Sequence, residues 1–307
     1  MVDVKEIKSV KIVPFTLMTS AVSAILALIY AIILLLLSGI IAAFLPAEIG
    51  GLVAGLGVAL IILLPLGSFL LNVLWAFLTA WFYNLLVPKV GGIKLGMEGK
   101  EIKNLPVVSL ALITSVINTI WAFIIGLLLT AAFAPFLGLL SSLPQIINAF
   151  APALANNTTA IQGMQGALGA SGAIMAVILI IAVPILVFIL SFIGYALTAV
   201  FYNVLIPRVG GIQLELAAVQ EKFSEITNIP AVPLALALAV VMAIWGLIQG
   251  LLNLVTYASV GDPVGGVVSL ISNIVGSFIG AFIVYAITAF IYNFLAPKLG
   301  GIQLELE

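Results

Sequence analysis

From Asn104 to Pro207 the chain runs without a single charged residue, and similar uncharged runs cover Ile12–Ala47, Ile49–Pro88, Ile226–Gly261 and Pro263–Pro297. Each exceeds the roughly 20 residues that cross a bilayer. Hydrocarbon holds no water, so a backbone inside it must pair its own polar groups as helix or closed barrel. Strand-like alternation is missing while Leu, Ile and Ala dominate, which selects helices. With 64% apolar and 7% charged residues, the chain falls outside the range of soluble domains. Lys5, Lys8 and Lys11 precede an apolar run in the manner of a signal peptide. That run is far longer than a signal's apolar core of roughly 7–15 residues, so it reads as a retained first helix.

A segment of seventeen residues occurs three times: Thr79–Leu95, Thr198–Leu214 and Thr288–Leu304 all read T-A-x-x-Y-N-x-L-x-P-[KR]-[VL]-G-G-I-x-L. Pro14, Pro106 and Pro230 each follow a short Ile/Val/Leu segment mixed with polar residues. Fifteen residues after the last two stand Trp121 and Trp245, with Ile29 and Tyr30 at that distance from Pro14. The copies are therefore placed at 4–98, 101–217 and 225–307 of a single membrane domain.

Each copy reads as short strand, proline, helix, outer connection, helix ending in Tyr-Asn, proline, Gly-Gly turn, short strand. The expected spans are 15–43, 60–87, 107–133, 177–206, 231–256 and 267–296. Pro65 and Pro184 lie nineteen residues before their copy's asparagine, about 28 Å along a helix and close to one hydrocarbon thickness. A kink or break is expected at both and not at Ile274, which holds that place in the third copy.

All ten basic residues (Lys5, Lys8, Lys11, Lys89, Lys94, Lys100, Lys103, Arg208, Lys222 and Lys298) fall on the side of the Gly-Gly turns. Excess Lys and Arg marks the cytoplasmic face, so both termini and all three turns are expected inside a cell membrane. The outer connections carry Glu48 and Asp262. The second, from Pro135 to Gly172, is long, and its stretch Pro144–Leu154 is apolar enough to dip into the interface. Asn156 and Asn157 there fit a glycosylation pattern.

Two spans per copy insert every copy in the same direction. The expected fold is an all-α integral membrane protein: six transmembrane helices as three parallel two-helix repeats around a pseudo-threefold axis, with short cytoplasmic β-strands closing a small ring. Ile93–Leu95 leads into Ile102–Leu105, and Ile212–Leu214 into Ile226–Ile229. Ile302–Leu304 then has the N-terminal segment near Val10–Val13 left to pair with, since an open edge is a liability. Gly-Gly supplies the positive backbone angles of a tight turn. It follows a helix and precedes a strand, opposite to a phosphate-binding loop.

The candidate site residues are Tyr83, Tyr202 and Tyr292, Asn84, Asn203 and Asn293, and Thr79, Thr198 and Thr288. Ala80, Ala199 and Ala289 precede the asparagines by four, and Asn72, Ser191 and Ala281 by twelve, so a small and polar face runs along each second helix. Two readings follow. Functionally, an asparagine ring offers amide dipoles to a solute on the axis. Structurally, tyrosine joins the interfacial aromatic belt, asparagine bonds a neighbouring helix or strand, and proline ends the helix. The structural reading takes precedence because polar residues commonly hold membrane helices together.

None of the expected spans contains Asp, Glu, Lys, Arg or His, which argues against proton relays and ion-coupled pumping. Asn118, Gln249, Asn253 and Asn273 are the amides left for sodium or for helix pairing. Without histidine or cysteine the common zinc and thiol chemistries have no donors, and no carboxylate pair lies in a span. No cofactor, no metal and no enzymatic activity is expected. A net charge of −1 without a basic cluster gives nucleic acid nothing to bind. Glu98, Glu101, Glu215, Glu221, Glu225, Glu305 and Glu307 lie among lysines and read as a solvated rim.

The proline-led first span and the Y-N-x-L-x-P-x-x-G-G-I-x-L ending resemble a prokaryotic, actinobacterial and archaeal, family of small uncharacterised two-helix transmembrane domains. The resemblance covers nearly the whole chain, once per copy, and implies topology and a prokaryotic origin. This chain departs by fusing three copies. The function expected is a structural scaffold or accessory subunit in contact with the lipid bilayer and other membrane-protein subunits. The alternative is a passive channel or facilitator for a small ion or solute along the pseudo-threefold axis.

Overall fold

A computed structural model describes residues 2–150, 163, 172–220 and 222–307. Strand β1 (Asp3–Val10) leads into helix α1 (Ile12–Ala42), which turns back into α2 (Ala47–Val90). A hairpin of β2 (Lys94–Glu98) and β3 (Glu101–Asn104) leads to α3 (Val107–Phe150). A π-turn (Ile178–Ala182) runs into α4 (Val183–Val209), followed by the hairpin of β4 (Glu215–Gln220) and β5 (Phe223–Asn228). Helices α5 (Ala231–Ser259) and α6 (Pro263–Leu299) and strand β6 (Gln303–Leu306) complete the order. Among the described residues, six helical segments are long and apolar enough to cross a membrane. Their surfaces agree: Leu52, Leu71 and Phe290 are each more than 70% exposed, and apolar surface this extensive suits lipid rather than water.

Several helices are longer than expected. α2 begins at Ala47 instead of near 60. Gly50, Gly51, Gly55 and Gly57 weaken a helix in water, but near hydrocarbon the helix is what satisfies their peptide groups. At 44 residues α2 is about 66 Å long, so part of it projects beyond a core about 30 Å thick. α6 begins at Pro263 rather than 267 because Asp262 caps it, its Oδ1 accepting the Gly265 N–H at 2.9 Å. α3 continues to Phe150, past the expected end at 133 and through the first part of the stretch expected to dip into the interface. The rest of that stretch and Asn156 and Asn157 lie outside the described residues.

The prolines behave differently from one another. A π-turn precedes Pro184, where the proline ring excludes the carbonyl four residues back and the helix widens to make room. α2 runs unbroken through Pro65, where a kink or break is expected, and α6 passes Ile274 as continuous helix. Pro88, Pro207 and Pro297 do not end their helices either. Each helix runs two residues further and stops at a glycine of positive φ: Gly91 (86°), Gly210 (87°) and Gly300 (81°). A proline near the end of a helix forfeits one backbone bond, whereas a left-handed residue reverses the chain.

The strands form one sheet in the order β3-β2-β1-β6-β5-β4, every neighbour antiparallel. β6 pairs with β1, Leu304 opposite Val10 and Leu306 opposite Ile7. The N-terminal segment is thus the partner of Ile302–Leu304, through residues 7–10; Ile12 and Val13 already belong to α1. Beyond the named strands, Glu101 bridges Gln213. The Ile102 N–H donates to the Ile212 carbonyl and the Leu214 N–H to the Lys100 carbonyl, both at 2.8 Å.

Contacts divide the described chain into two compact units, Met1–Ile113 with Ala196–Glu307, and Thr114–Tyr195. In the first, α1 packs on α2, α5 on α6, and α1 also meets α6. Two apolar cores join its strands to its helix ends. One gathers Met18, Ile226, Tyr292 and Leu304; the other gathers Met97, Ile102, Tyr202 and Val241. In the second, Gly126 of α3 lies so near the Leu179 carbonyl that a Cβ there would collide with it. Asn118 Nδ2 donates to Ser191 Oγ at 3.3 Å within the same unit.

Candidate functional site

The nine candidate residues sit at the strand-facing ends of α2, α4 and α6, and tyrosine and asparagine make the same bonds at each. Tyr83 Oη donates to the Ile7 carbonyl at 2.6 Å and accepts the Ile93 N–H at 3.0 Å. Tyr202 joins the Ile102 carbonyl (2.6 Å) to the Ile212 N–H (3.0 Å). Tyr292 joins the Ile226 carbonyl (2.6 Å) to the Ile302 N–H (2.9 Å). All three rings are buried, and each hydroxyl links backbone before the first helix of a copy to backbone after the second.

The asparagines pair with single peptide positions. Asn84 Oδ1 accepts the Val10 N–H and its Nδ2 donates to the Val10 carbonyl, both at 2.8 Å. Asn203 holds Leu105 in the same way at 2.8 and 2.9 Å, and Asn293 holds Ile229 at 2.8 Å for both bonds. Val10, Leu105 and Ile229 each stand where a strand gives way to a helix, so their N–H and C=O lack regular partners there. A carboxamide offers one donor and one acceptor side by side and satisfies both.

The second glycine of each Gly-Gly pair completes the arrangement. A Cβ on Gly92, Gly211 or Gly301 would collide with the carbonyl oxygen of Ile7, Ile102 or Ile226 respectively. Only the first glycine has positive φ; the second is required by close backbone approach. The N–H of that second glycine donates to a glutamate: Gly92 to Glu6 Oε1 at 2.8 Å, Gly301 to Glu225 Oε1 at 2.7 Å, and Gly211 to Glu101 Oε1.

These glutamates are the functional residues that sequence reasoning missed. Glu101 and Glu225, expected in a solvated rim, instead hold the turns. Their signal is the repeated Glu-Ile pair, Glu6-Ile7, Glu101-Ile102 and Glu225-Ile226, which places a carboxylate one residue before the carbonyl that tyrosine binds. The Gly92 N–H is the main cause holding the Glu6 carboxyl below its ordinary pKa, with Lys8 adding to it. Lys103, 2.9 Å away, is the main cause of the same shift in Glu101, and the Gly211 N–H adds to it.

The bonds also correct the alignment of the copies. Since Val10, Leu105 and Ile229 are held alike, Pro106 and Pro230 correspond to Lys11, not to Pro14. The residue matching Trp121 and Trp245 is then Leu26, not Ile29 or Tyr30. The threonines are less uniform. Thr198 Oγ1 accepts the Trp245 indole N–H at 3.2 Å, whereas Thr288 donates back to the Val284 carbonyl at 2.7 Å. Thr79 occupies the matching place on α2 and is half-buried.

The remaining span amides pair along or between helices. Gln249 donates to Asn253, Asn253 to Ser269 Oγ, and Asn273 to the Ser269 carbonyl. Among the described residues no group of His, Cys, Asp and Glu is arranged to hold a metal ion. No family model, curated protein or solved structure matches the chain.

Proposed function

We propose that this chain is a non-enzymatic scaffold or accessory subunit of a prokaryotic cell membrane, akin to the two-helix domains it resembles. In this reading the strands close a cytoplasmic ring, and a pseudo-threefold axis relates the three strand–helix junctions. Pairing supports the ring. Two links between copies are the hairpins β2–β3 and β4–β5, and the third is the β6–β1 ladder. Within copies, β1 pairs β2, β5 pairs β6, and β3 meets residues 212–214 through the Glu101–Gln213 bridge. The lysines on these strands and turns support a cytoplasmic orientation.

The observation that carries the scaffold reading is the bidentate hold of Asn84, Asn203 and Asn293 on backbone. An amide plane fixed by two bonds to the protein is poorly placed to coordinate a passing solute. Passage along the axis is the second reading. It is favoured by Thr16 and Ser20, buried one turn apart on α1 with hydroxyls that find no partner. Against it, three of the four corresponding places in the other copies hold the fully buried Ala111, Ala235 and Ala239, which offer a solute no polar group, and the fourth holds the buried Ser115.

Flux measurements on the protein in liposomes, with a panel of ions and small neutral solutes, separate the two. The scaffold reading expects no flux, fixed partners on co-purification, and a lower melting temperature when all three asparagines become leucine. Flux abolished by that triple substitution overturns it.

A further inference from the structure

Residue Trp245 of α5 shows what fills the space where a first helix lies against the second helix of the neighbouring copy. Its indole N–H reaches Thr198 Oγ1 at 3.2 Å, and its ring meets Phe201 edge-on with centroids 5.8 Å apart. Where α1 lies against α6, the matching residues are Leu26, Thr288 and Ile291. The indole has become isobutyl, the phenyl ring has become a branched alkyl, and the threonine has stayed.

A cavity of ≈ 310 Å³ opens at this place, lined by Met18, Val22, Leu26, Leu234, Thr288 and Tyr292 among others. That is within the range of small-molecule pockets, about 300–1,000 Å³. Its walls are almost wholly apolar. The hydroxyl-bearing residues on them are Thr19, Ser23, Thr288 and Tyr292, the last with its hydroxyl held between the Ile226 carbonyl and the Ile302 N–H. Thr19 and Thr288 donate to carbonyls of their own helices, and Ser23 pairs with Ser68. Thr288 Oγ1, like Thr19 Oγ1, therefore retains acceptor capacity and can take a donor from within the cavity, and Thr288 is the one that matches the indole-binding Thr198. A water molecule requires two to four polar partners and is poorly served by such walls. A lipid tail would fill the volume but bring no donor.

We propose that this cavity binds a flat heteroaromatic molecule of the indole class, its ring between α1 and α6 and its N–H donating to Thr288 Oγ1. The ligand takes the place that the chain's own tryptophan takes against α4. Binding at this position does not depend on whether the protein is a scaffold or a channel.

The test is ¹⁹F NMR of 5-fluoroindole titrated into the purified full-length protein in detergent. Saturable binding at one site is expected. Leu26→Trp should abolish it and raise the melting temperature, because the chain then fills its own cavity. Thr288→Val should weaken it by up to about tenfold, the worth of one hydrogen bond. 1-Methylindole, which lacks the N–H, should bind wild type and Thr288→Val alike. Absence of saturable binding overturns the proposal, as does equal binding of 5-fluoroindole and 1-methylindole to wild type. Binding that survives in a folded Leu26→Trp variant, or a site that takes decane and rejects 5-fluoroindole, overturns it as well.

Discussion

The two ends of the helical hairpins are built on different principles. At the strand-facing end every copy spends a tyrosine, an asparagine, a glutamate and two glycines in the same way, and the partner atoms recur position by position. At the far end the two described connections differ from each other. α1 and α2 meet through the short turn 43–46, and α5 and α6 through an aspartate cap at Asp262. The difference follows from solvent. Where backbone leaves helical geometry beside a bilayer, each N–H and C=O must find a partner. Lipid against a helix flank asks only for apolar surface.

Substitutions at both ends can break this contrast. The largest effect is expected at Gly92, Gly211 and Gly301, where alanine places a Cβ against a backbone carbonyl that cannot swing away. Loss of folded, monodisperse protein on size exclusion is the expected result, while alanine at Gly51 of the far end, where the added Cβ meets open space, leaves it intact. Asn84→Ala comes next. It strands both polar groups of Val10, each worth about 1–3 kcal/mol, so a melting temperature near that of wild type would remove the asparagine from the explanation. Tyr202→Phe leaves the Ile102 carbonyl and the Ile212 N–H without their shared partner. A loss of about 2 kcal/mol is expected from measured costs of unpaired buried groups, readable by thermal melting in detergent.

A smaller effect comes from pH. Glu6 and Glu101 have lowered folded pKa values, so their contribution is complete above the unfolded value of about 4.3 and disappears as pH falls through the folded one. Melting measured from pH 7 down to pH 3 should show acid destabilisation that shrinks in the Glu6→Gln/Glu101→Gln double variant. The smallest effect is expected at the lipid-facing flank. Leu71→Ala, at a side chain 72% exposed, should change stability by less than about 0.5 kcal/mol.

The same contrast decides how much could be read from sequence. The six spans are legible because uncharged runs longer than a bilayer leave the backbone few options, and Tyr-Asn and Gly-Gly are legible because they recur. Helix starts at the far ends are not, since glycines and prolines that punctuate water-soluble chains lose that force in hydrocarbon; α2 runs through five glycines and Pro65. Pro14 misled the alignment because a proline in a first helical turn is permitted at several adjacent places. The carbonyl held by each asparagine fixes the correspondence, and only coordinates show it. The glutamates hid among lysines, where charge composition describes a rim and says nothing of a single N–H behind it.

At the β1–β6 seam the Glu6 N–H donates to the Glu307 carbonyl at 2.6 Å and the Glu307 N–H to the Glu6 carbonyl at 3.0 Å. The other two junctions between copies are hairpins of strands adjacent in sequence, which need no distant segment to pair. This one cannot form until translation has delivered β6, which follows every helix in the chain. Until then β1 keeps one edge unpaired, and a stalled or truncated nascent chain would carry that adhesive border with it.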